Sequence, residues 1–365
     1  MMNEQLMNPA RLSELLAAIL QADGCNAGEA RIVADHLVEA SLRGHDSHGV
    51  IRILRYHQWL GTGRIKANMA LKTISDTGSM VHLDGQDGMG QRLAVEATEL
   101  AIARAKEHGL AMVALRRAGH VGRLGAYAEQ ACAAGLVSIH FVNVAGSRLV
   151  APFGAAGRAI STAPIAIGVP HGDGDDFVLD FATSLVAEGK ALVAGQGGKP
   201  LPVDALIGGD GQRTSDPHAL YGETLDSRVP DPRAGHGALR TMGDHKGSGL
   251  ALACELLAGA MTGNGTNGPT DHPFGNGMLS ILIRPASLDD LGGFGREVSD
   301  YIAYVRDLPA EAGVDRVRIP GDPERERHAH RRQNGLPLPG PVAAGIAEIA
   351  TQLGLEDHLA TLEQR

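Results

Sequence analysis

SLRGHDSHGVIRILRYHQWL, residues 41–60, is the stretch around which the rest of the chain can be interpreted. A glycine-rich polar segment, Gly44–Gly49, runs into residues with helical spacing. On a helical wheel, one side carries Val50, Ile53, Leu54 and Leu60, and the other carries His48, Arg52, Arg55 and Trp59.

His48 and Arg52 are one helical turn apart in this pattern. A guanidinium fork can hold a carboxylate through two hydrogen bonds. An imidazole with a pKa near neutrality can exchange a proton with a neighbouring oxygen. The pair therefore suits a ligand whose carboxylate is next to a carbonyl or hydroxyl carbon. Taken alone, a basic, solvated helix face is the more common origin of such a pattern.

Composition excludes several classes of protein. The chain has 365 residues and a formal net charge of −9, which disfavours nucleic acid and anionic membranes as partners. It contains no apolar run near the ~18 residues of a membrane span, and its N-terminus does not resemble a signal peptide. Cys25, Cys132 and Cys254 are far apart, as expected of buried thiols in a reducing compartment. We expect a cytoplasmic protein.

The order of periodic segments predicts an α/β protein with a helical N-terminal unit. Two helices are expected over residues 10–43, separated at Asp23-Gly24, with a third ending near Gly63. The expected strands are Ser79–Leu83, Leu110–Leu115, Leu136–Val142, Ile165–Val169, Phe177–Asp180 and Met278–Ile283. The later expected helices are Arg92–Glu107, Gly122–Ala134, Leu250–Met261, Leu288–Val305 and one over 341–353. Residues 195–240 read as irregular.

Two glycine-rich segments compete as phosphate-binding loops. Gly263–Gly268 (GNGTNG) is the only G-x-G-x-x-G, but no strand precedes it, no helix follows it, and no acidic residue follows at the required distance, so we interpret it as a loop. Gly119–Gly125 lies between an expected strand and helix, where His120 could meet a substrate and Arg123 a phosphate. A plain strand-to-helix turn is the alternative there, and it is favoured when the pattern is taken alone.

Two further residues have both a functional and a structural interpretation. Asp180 stands at a strand end and could orient a ribose or a nicotinamide group, or cap a helix. Lys246, in His245-Lys246-Gly247, could contact phosphate or lie in solvent. For each of them alone, the structural role is favoured.

Metal binding is not expected from the histidine pattern. His45 and His48 are three residues apart, and His328 and His330 are two apart, without a carboxylate or a third histidine at zinc-site spacing. No hydrolase signature appears either.

Each of these motifs is weak evidence alone, but their order along the chain is specific. In that order the chain resembles the malate/L-lactate dehydrogenase family, which is distinct from Rossmann-type lactate dehydrogenases. The resemblance rests on RGHDSHGVIR (43–52), LDGQDGMGQ (83–91), GHVGRLGAYAEQA (119–131), VAPFGAAGRAISTAPIAIGVP (150–170), LDFATS (179–184), DHKGSGLAL (244–252) and IPGDPERERHAHRRQNGLPL (319–338). The block AEQACAAGLVSIHFV (128–142) resembles most the hydroxycarboxylate dehydrogenase B members.

The resemblance implies a homodimer that interconverts 2-hydroxy and 2-oxo acids with NAD or NADP on a non-Rossmann α/β domain. It implies a helical domain, residues 1–72 joined by C-terminal helices from about 305–365, beside an α/β cofactor domain, 73–304. It makes His48 the acid/base residue, and Arg52, His120, Ser47 and Thr162 substrate-binding residues. The expected cofactor-binding residues are His48, His120, Gly122, Arg123, Leu124, Val178, Leu179, Asp180, Phe181, Ala182, His245, Lys246, Asn276, Gly321, Asp322, Pro323 and Glu324.

Three positions depart from the family pattern. Ala163 stands where the family usually has asparagine, which removes an amide near the expected site. Gly119 replaces a polar residue, and Asp322 replaces a glutamate. Two alternative functions remain open: reduction of a cyclic imine carboxylate by the same geometry, and a catalytically silent small-molecule binding protein on the same scaffold.

Overall fold

The computed structural model describes residues 4–172, 174–195, 197–226, 230–268, 273–289 and 292–362. The helices are α1 Pro9–Ala22, α2 Ala27–Leu42, α3 Arg52–Gly61, α4 Gly90–His108, α5 Gly125–Ala133, α6 Glu188–Gly195, α7 His218–Tyr221, α8 His245–Cys254, α9 Phe294–Arg306, α10 Asp322–Asn334, α11 Gly340–Gln352 and α12 Glu356–Leu362. The strands are β1 Glu4–Met7, β2 Lys72–Asp76, β3 Met80–Gly88, β4 Leu110–Ala118, β5 Val137–Ala145, β6 Pro164–Val169, β7 Phe177–Ala182, β8 Leu206–Ile207, β9 Arg213–Thr214, β10 Ala238–Leu239, β11 Gly275–Ile283 and β12 Leu336–Pro339.

The first two helices form where the apolar period predicts them. Asn8 caps α1 by accepting from the backbone N–H of Ala10 at 3.0 Å, and Asn26 caps α2 through the N–H of Glu29 at 2.9 Å. Between them the chain reverses at Gly24, whose φ of 99° suits glycine. The predicted separation of the two helices at Asp23-Gly24 is confirmed.

Helices from both ends of the chain share one apolar cluster. Leu12 and Ile19 of α1, Ile53 of α3 and Ile346 of α11 are buried in it. The two-stranded antiparallel pairing of β1 with β12 also joins the chain ends. Burial of these side chains at ~25 cal/mol per Å² of apolar surface is the main force that holds the helices together.

A mixed seven-stranded sheet forms the centre of the α/β region, with the order β2-β3-β4-β11-β5-β6-β7. Only β3 and β4 run parallel within it, and the late strand β11 inserts antiparallel between β4 and β5. A doubly wound Rossmann sheet is mostly parallel, so the predicted non-Rossmann α/β fold is confirmed. Helices α4 and α5 pack on the sheet next to β4 and β6.

The predicted wheel for residues 48–60 needs correction. His48 belongs to a separate 3-10 turn, Asp46–His48, and the α-helix begins only at Arg52. The change of helical phase places Ile53, Tyr56 and Trp59 on the buried stripe of α3. Trp59 is 6% exposed in the apolar cluster, and so does not share the polar face to which the wheel assigned it.

Four other segments differ from their predicted form. The helix predicted over Leu288–Val305 begins only at Phe294. Helix α5 begins at Gly125 rather than Gly122, because residues 121–124 form an extended turn. Residues 195–240, expected to be irregular, include the short three-stranded sheet β10-β8-β9. The helix predicted over Leu250–Met261 starts earlier, at His245, and continues as a π-helical turn over Glu255–Ala260. None of the helices among the described residues is both long and apolar enough to cross a bilayer.

Candidate active site

The segment before α3 is held by contacts with two helices, α2 and α10. Gly49 packs so closely on α2 that a Cβ would lie 2.0 Å from Ser41 Oγ. The same hydroxyl accepts a hydrogen bond from the N–H of Val50 at 3.0 Å. From the C-terminal side, the guanidinium of Arg331 on α10 holds the carboxylate of Asp46 at 2.6 Å. Contacts with α2 and α10 therefore hold the segment that carries His48.

A chain of hydrogen bonds leads inward from His48. His48 Nδ1 lies 3.1 Å from His120 Nε2, and the two ring planes are within 7° of parallel. His120 Nδ1 lies 2.6 Å from Tyr56 Oη, which accepts from Gln91 Nε2 at 2.5 Å. Because His48 uses Nδ1 internally, Nε2 is the nitrogen left for a ligand. The structure thus brings His48 and His120 together, as the interpretation of both as site residues requires.

Both imidazoles are held neutral near pH 7. Burial lowers the pKa of His48 well below its ordinary value, and the positive charge of Arg52 lowers it further. Burial and Arg52, in that order, also lower the pKa of His120 well below its ordinary value. A neutral imidazole in this position is a base, and it becomes an acid only when something nearby favours the charged form.

Arg52 has spare hydrogen-bonding capacity. Its Nε donates to the carbonyl of Ser47, which lies beside the start of α6. Among the described residues, no carboxylate lies within ion-pair distance of Arg52, and no group accepts from its two terminal nitrogens. Burial lowers the pKa of this guanidinium, while the carboxylate of Glu188 opposes that shift. A half-buried guanidinium with open N–H groups is suited to an anionic ligand.

The loop 119–125 is the second component of the site. Three of its backbone N–H groups donate to distant side chains: Val121 to Asn276 Oδ1, Arg123 to His36 Nε2 and Gly125 to Asp180 Oδ2, at 2.9, 2.9 and 2.7 Å. The N–H groups of Gly122 and Leu124, both buried, have no acceptor in the part of the chain that the structure describes. Buried N–H groups rarely lack a hydrogen-bond acceptor. This pair is therefore suited to a ligand with an oxygen acceptor.

The predicted roles of Arg123 and Asn276 look different in the structure. The Arg123 side chain is 3% exposed and pairs with the Glu129 carboxylate at 2.5 Å, so its charge is already matched. Asn276 is 1% exposed and holds the loop through Val121. Both side chains stabilise the loop from its buried side. They would affect a ligand through the conformation of that loop.

Strand β7 and the turn before α10 meet the same loop. The N–H of Val178 donates to the carbonyl of Pro320 at 3.4 Å, while Asp180 caps α5 at Gly125. Leu179, Phe181 and Ala182 follow on β7 with partly exposed side chains. Three segments distant in sequence, 120–125, 178–182 and 321–324, are therefore neighbours in the fold.

The turn 321–324 is strongly constrained. Gly321 has a φ of 98° and precedes Pro323 in the first turn of α10. Asp322 is 4% exposed, with its carboxylate 2.7 Å from the guanidinium of Arg306. Glu324 is half-buried and lies 3.6 Å from His45 Nε2, which connects this turn to the segment that carries His48.

Thr162, His245 and Lys246 approach the end of β7 from the other side. The carbonyl of Thr162 accepts from the N–H of Thr183 at 3.0 Å, and the carbonyl of Thr183 accepts from the N–H of Met242 at 2.9 Å. His245 and Lys246 open α8, and both are exposed. The position of Lys246 at a helix N-terminus is compatible with an anion, but no described contact assigns it one.

Ala163 has an unusual backbone for its residue type. Its φ is +36° and its side chain is fully buried in an apolar cluster. Asparagine tolerates the left-handed region better than alanine does, which gives a conformational reason for the asparagine that the family usually has here. The departure therefore concerns backbone strain at a core position, since Ala163 has no exposed surface.

The G-x-G-x-x-G segment, 263–268, is closed on itself. Its N–H groups donate to protein acceptors: Gly263 to Ala260 O, Asn264 to Thr262 Oγ1, Gly265 to Gly259 O and Asn267 to Glu255 Oε2. The buried carboxylate of Glu255 lies under the loop. Four of its six N–H groups are thus occupied and a carboxylate lies beneath it, so the geometry agrees with its interpretation as an ordinary loop.

Among the described residues, no group of three histidine, cysteine, aspartate or glutamate side chains is arranged to hold a metal ion. Two site residues went unrecognised in the sequence, Tyr56 and Gln91. A usable signal existed for Tyr56, which follows Arg52 by one helical turn. Gln91 ends the LDGQDGMGQ block, but its contact with Tyr56 depends on how α4 packs against α3.

Comparison with known proteins identifies the family of this chain. A family model described as malate/L-lactate dehydrogenase matches residues 7–347. The chain belongs to the malate/L-lactate dehydrogenase family. It is 35% identical to hydroxycarboxylate dehydrogenase B of Escherichia coli K12, with 95% of this chain and 94% of that protein covered.

Two other members of this family extend the comparison. The sulfolactate dehydrogenase structure from Methanocaldococcus jannaschii superimposes with a TM-score of 0.84 at 30% identity, covering 97% of this chain and 100% of that one. A Δ1-pyrroline-2-carboxylate/Δ1-piperideine-2-carboxylate reductase from Pseudomonas putida is 30% identical over 93% of this chain and 95% of its own length. Family membership and these relatives support an oxidoreductase.

Proposed function

We propose that the protein transfers hydride between a nicotinamide cofactor, NAD or NADP, and a 2-hydroxy acid/2-oxo acid pair of the malate, lactate or aryl-lactate type. The observation that carries this proposal is the adjacency of His48, neutral and hydrogen-bonded to His120, to Arg52, whose terminal nitrogens are open. Hydroxy-acid dehydrogenases among the relatives support the same substrate class.

Arg52 would hold the substrate carboxylate through its two terminal nitrogens. Binding of that anion offsets the positive charge that lowers the pKa of His48, so substrate binding itself favours the protonated imidazole. In the reductive direction His48 Nε2 then donates a proton to the developing alkoxide. In the oxidative direction the neutral ring accepts the hydroxyl proton at the same atom. General acid–base catalysis of this kind contributes ~10²–10⁴-fold in rate.

The residues around loop 119–125 fit a nicotinamide cofactor. The open N–H groups of Gly122 and Leu124 suit phosphate or carboxamide oxygens, and the second carboxylate oxygen of Asp180 suits a ribose hydroxyl or an amide N–H. When bound, the cofactor supplies the hydride chemistry, and the protein supplies position and electrostatics. We assign His48, His120, residues 178–182, His245, Lys246 and the turn 321–324 to the walls of the same cleft.

We further propose that the molecule works as a homodimer in which the N-terminal helices and residues from about 305 onward form one domain beside the α/β domain. Leu252, Leu256 and Met261 follow one helical stretch and are 45%, 61% and 50% exposed. Apolar side chains this exposed along one helix suit a second copy of the chain as partner. Light scattering of the purified protein would test this.

The central test is a panel of 2-oxo acids assayed with NADH and with NADPH. We expect oxidation of at least one reduced cofactor that depends on both the 2-oxo group and the carboxylate. Absence of turnover across lactate-, malate- and aryl-lactate-type substrates would contradict the proposal.

A second candidate is the reduction of a cyclic imine carboxylate, which the Pseudomonas putida relative favours by name. The same arginine could hold the carboxylate while hydride adds to a C=N bond. Inclusion of a cyclic imine carboxylate in the panel separates the two, since a preference of tenfold or more in kcat/KM for the imine, about 1.4 kcal/mol, would favour this candidate.

A further inference from the structure

Gln91 is an uncharged side chain at the inner end of the chain of hydrogen bonds behind His48. It is 1% exposed, and its Nε2 lies 2.5 Å from Tyr56 Oη. Its other amide atom, Oε1, is buried without a hydrogen-bond partner. From Gln91 the contacts run through Tyr56 and His120 to His48, at 2.6 and 3.1 Å.

The number of hydrogens on these groups allows the chain of hydrogen bonds to point in only two directions. Tyr56 carries one hydroxyl hydrogen, and each neutral imidazole carries one N–H. If Gln91 donates through Nε2, Tyr56 donates to His120 Nδ1, and His120 donates from Nε2 to His48 Nδ1. If Gln91 instead accepts through Oε1, every bond reverses, and His48 donates from Nδ1. The two ends of an amide are nearly equal in size, so either can face Tyr56 in the same space.

The direction decides what His48 can do. With the chain running outward from Gln91, neutral His48 carries its hydrogen on Nε2 and cannot accept the hydroxyl proton of a 2-hydroxy acid there. With the chain running inward to Gln91, Nδ1 carries the hydrogen, and Nε2 is free to accept a proton and to return it. Protonated His48 also requires the inward direction, because both of its nitrogens then donate.

We propose that Gln91 is a positioning residue that acts through Tyr56: its amide oxygen, turned towards Tyr56, fixes the His48 tautomer whose Nε2 exchanges the substrate proton. This inference rests on the proposed function for the identity of the reaction. The tautomer itself is a property of the protein and can be measured without turnover. In the structure, Gln91 Nε2 faces Tyr56, so the hydrogen bonds run outward from Gln91. In this direction His48 carries its hydrogen on Nε2.

The test combines Gln91→Met, which keeps length but removes both hydrogen-bonding ends, with Tyr56→Phe and the double variant. Nitrogen-15 NMR of labelled histidine reports the His48 tautomer in the folded protein, assigned through loss of the signal in His48→Gln. We expect the substrate-free wild type to show mostly the Nε2–H form and the 2-hydroxy acid complex the Nδ1–H form. Gln91→Met should show both forms in both states, a roughly tenfold or larger loss of kcat and little change in KM.

The matched control is Gln130→Met on α5, where the amide reaches only the carbonyl of Val95. It should leave both the tautomer and kcat unchanged. Because Gln91 acts through Tyr56, Gln91→Met should have no further effect on kcat in the Tyr56→Phe background. Additive losses, or a Gln91→Met tautomer that follows the wild type in both states, would overturn the proposal. If the wild type turned over no substrate in the panel, the proposed function would fail, and the NMR comparison would still decide the role of Gln91.

Discussion

The two glycine-rich segments, 119–125 and 263–268, are opposites in their hydrogen bonding. The second has the G-x-G-x-x-G spacing associated with dinucleotides, yet four of its six N–H groups are occupied by the protein and the Glu255 carboxylate lies beneath it. The first lacks that spacing but leaves two buried N–H groups open beside the His48–His120 pair. The difference teaches that a phosphate site is recognised by which donors remain open, and glycine spacing alone does not report that.

The largest expected effect comes from the imidazole beside the open loop. His48→Ala should lower kcat by about 10²–10⁴-fold, because it removes the proton-exchanging group. Cofactor binding, followed by quenching of the Trp59 fluorescence or by calorimetry, should remain. Asn267→Ala in the closed loop is the counterpart, and its kcat per folded molecule should stay near wild type. Turnover of His48→Ala within about threefold of wild type would remove His48 from the chemistry.

The second effect separates shape from charge at Arg52. Arg52→Lys keeps the positive charge but loses the planar fork, so kcat/KM for the best 2-oxo acid should fall by about tenfold or more. Arg55→Lys, on the same helix, is the control for the change of residue type and should stay within about threefold of wild type. Equal kcat/KM values for Arg52→Lys and wild type would rule out two-point binding of the carboxylate.

The fold was accessible from the sequence where local patterns determine it. The apolar period of α1 and α2 and the Asp23-Gly24 break are local signals, and they predict those helices correctly. The insertion of β11 between β4 and β5 is not a local property, because the pairing joins residues more than a hundred positions apart. Strand β12 gave no signal because prolines alternate along it.

The candidate site was accessible only in part. His48 and Arg52 could be found because their chemistry is visible in short spacing. The helical wheel placed Trp59 on the wrong face of the helix because a 3-10 turn precedes α3. Tyr56 and Gln91 look like ordinary helix residues in sequence, and their role follows from a buried contact between α3 and α4. The charge match of Arg123 with Glu129 likewise follows from side-chain packing, which a motif cannot show.

A third experiment compares the two glycine-rich segments, 119–125 and 263–268, directly. Gly122 has a φ of 77°, and a Cβ there would lie 2.3 Å from His36 Nε2, so Gly122→Ala should displace the loop and raise KM for the cofactor severalfold. Left-handed strain of this kind costs about 1–2 kcal/mol, which should also lower Tm. Gly268→Ala is the matched control, since it has ordinary φ and open space around the added Cβ. If both variants raised KM equally, the assignment of the cofactor to the first loop would be wrong.

The smallest expected effect is the loss of folding stability at acid pH. His36 accepts a hydrogen bond from the Arg123 N–H of the open loop, and burial followed by the charge of Arg123 lowers its pKa to about 3. Burial also lowers the pKa of His140, in the sheet, to about 3. Since both folded values lie below the ordinary ~6.5, the unfolded chain binds more protons between pH 6.5 and 3, and stability is lost as pH falls through that range.

Each of these two histidines should contribute a slope of about 1.4 kcal/mol per pH unit to that loss. Replacing either by glutamine, which does not titrate, should flatten the acid limb of the unfolding free energy by a similar amount. The two variants should differ at the loop: at pH 7 only His36→Gln should raise KM for the cofactor, because it replaces the imidazole that accepts from the Arg123 N–H. If His140→Gln raised KM equally, the effect would come from the whole fold, and the dependence of the open loop on His36 would be disproved.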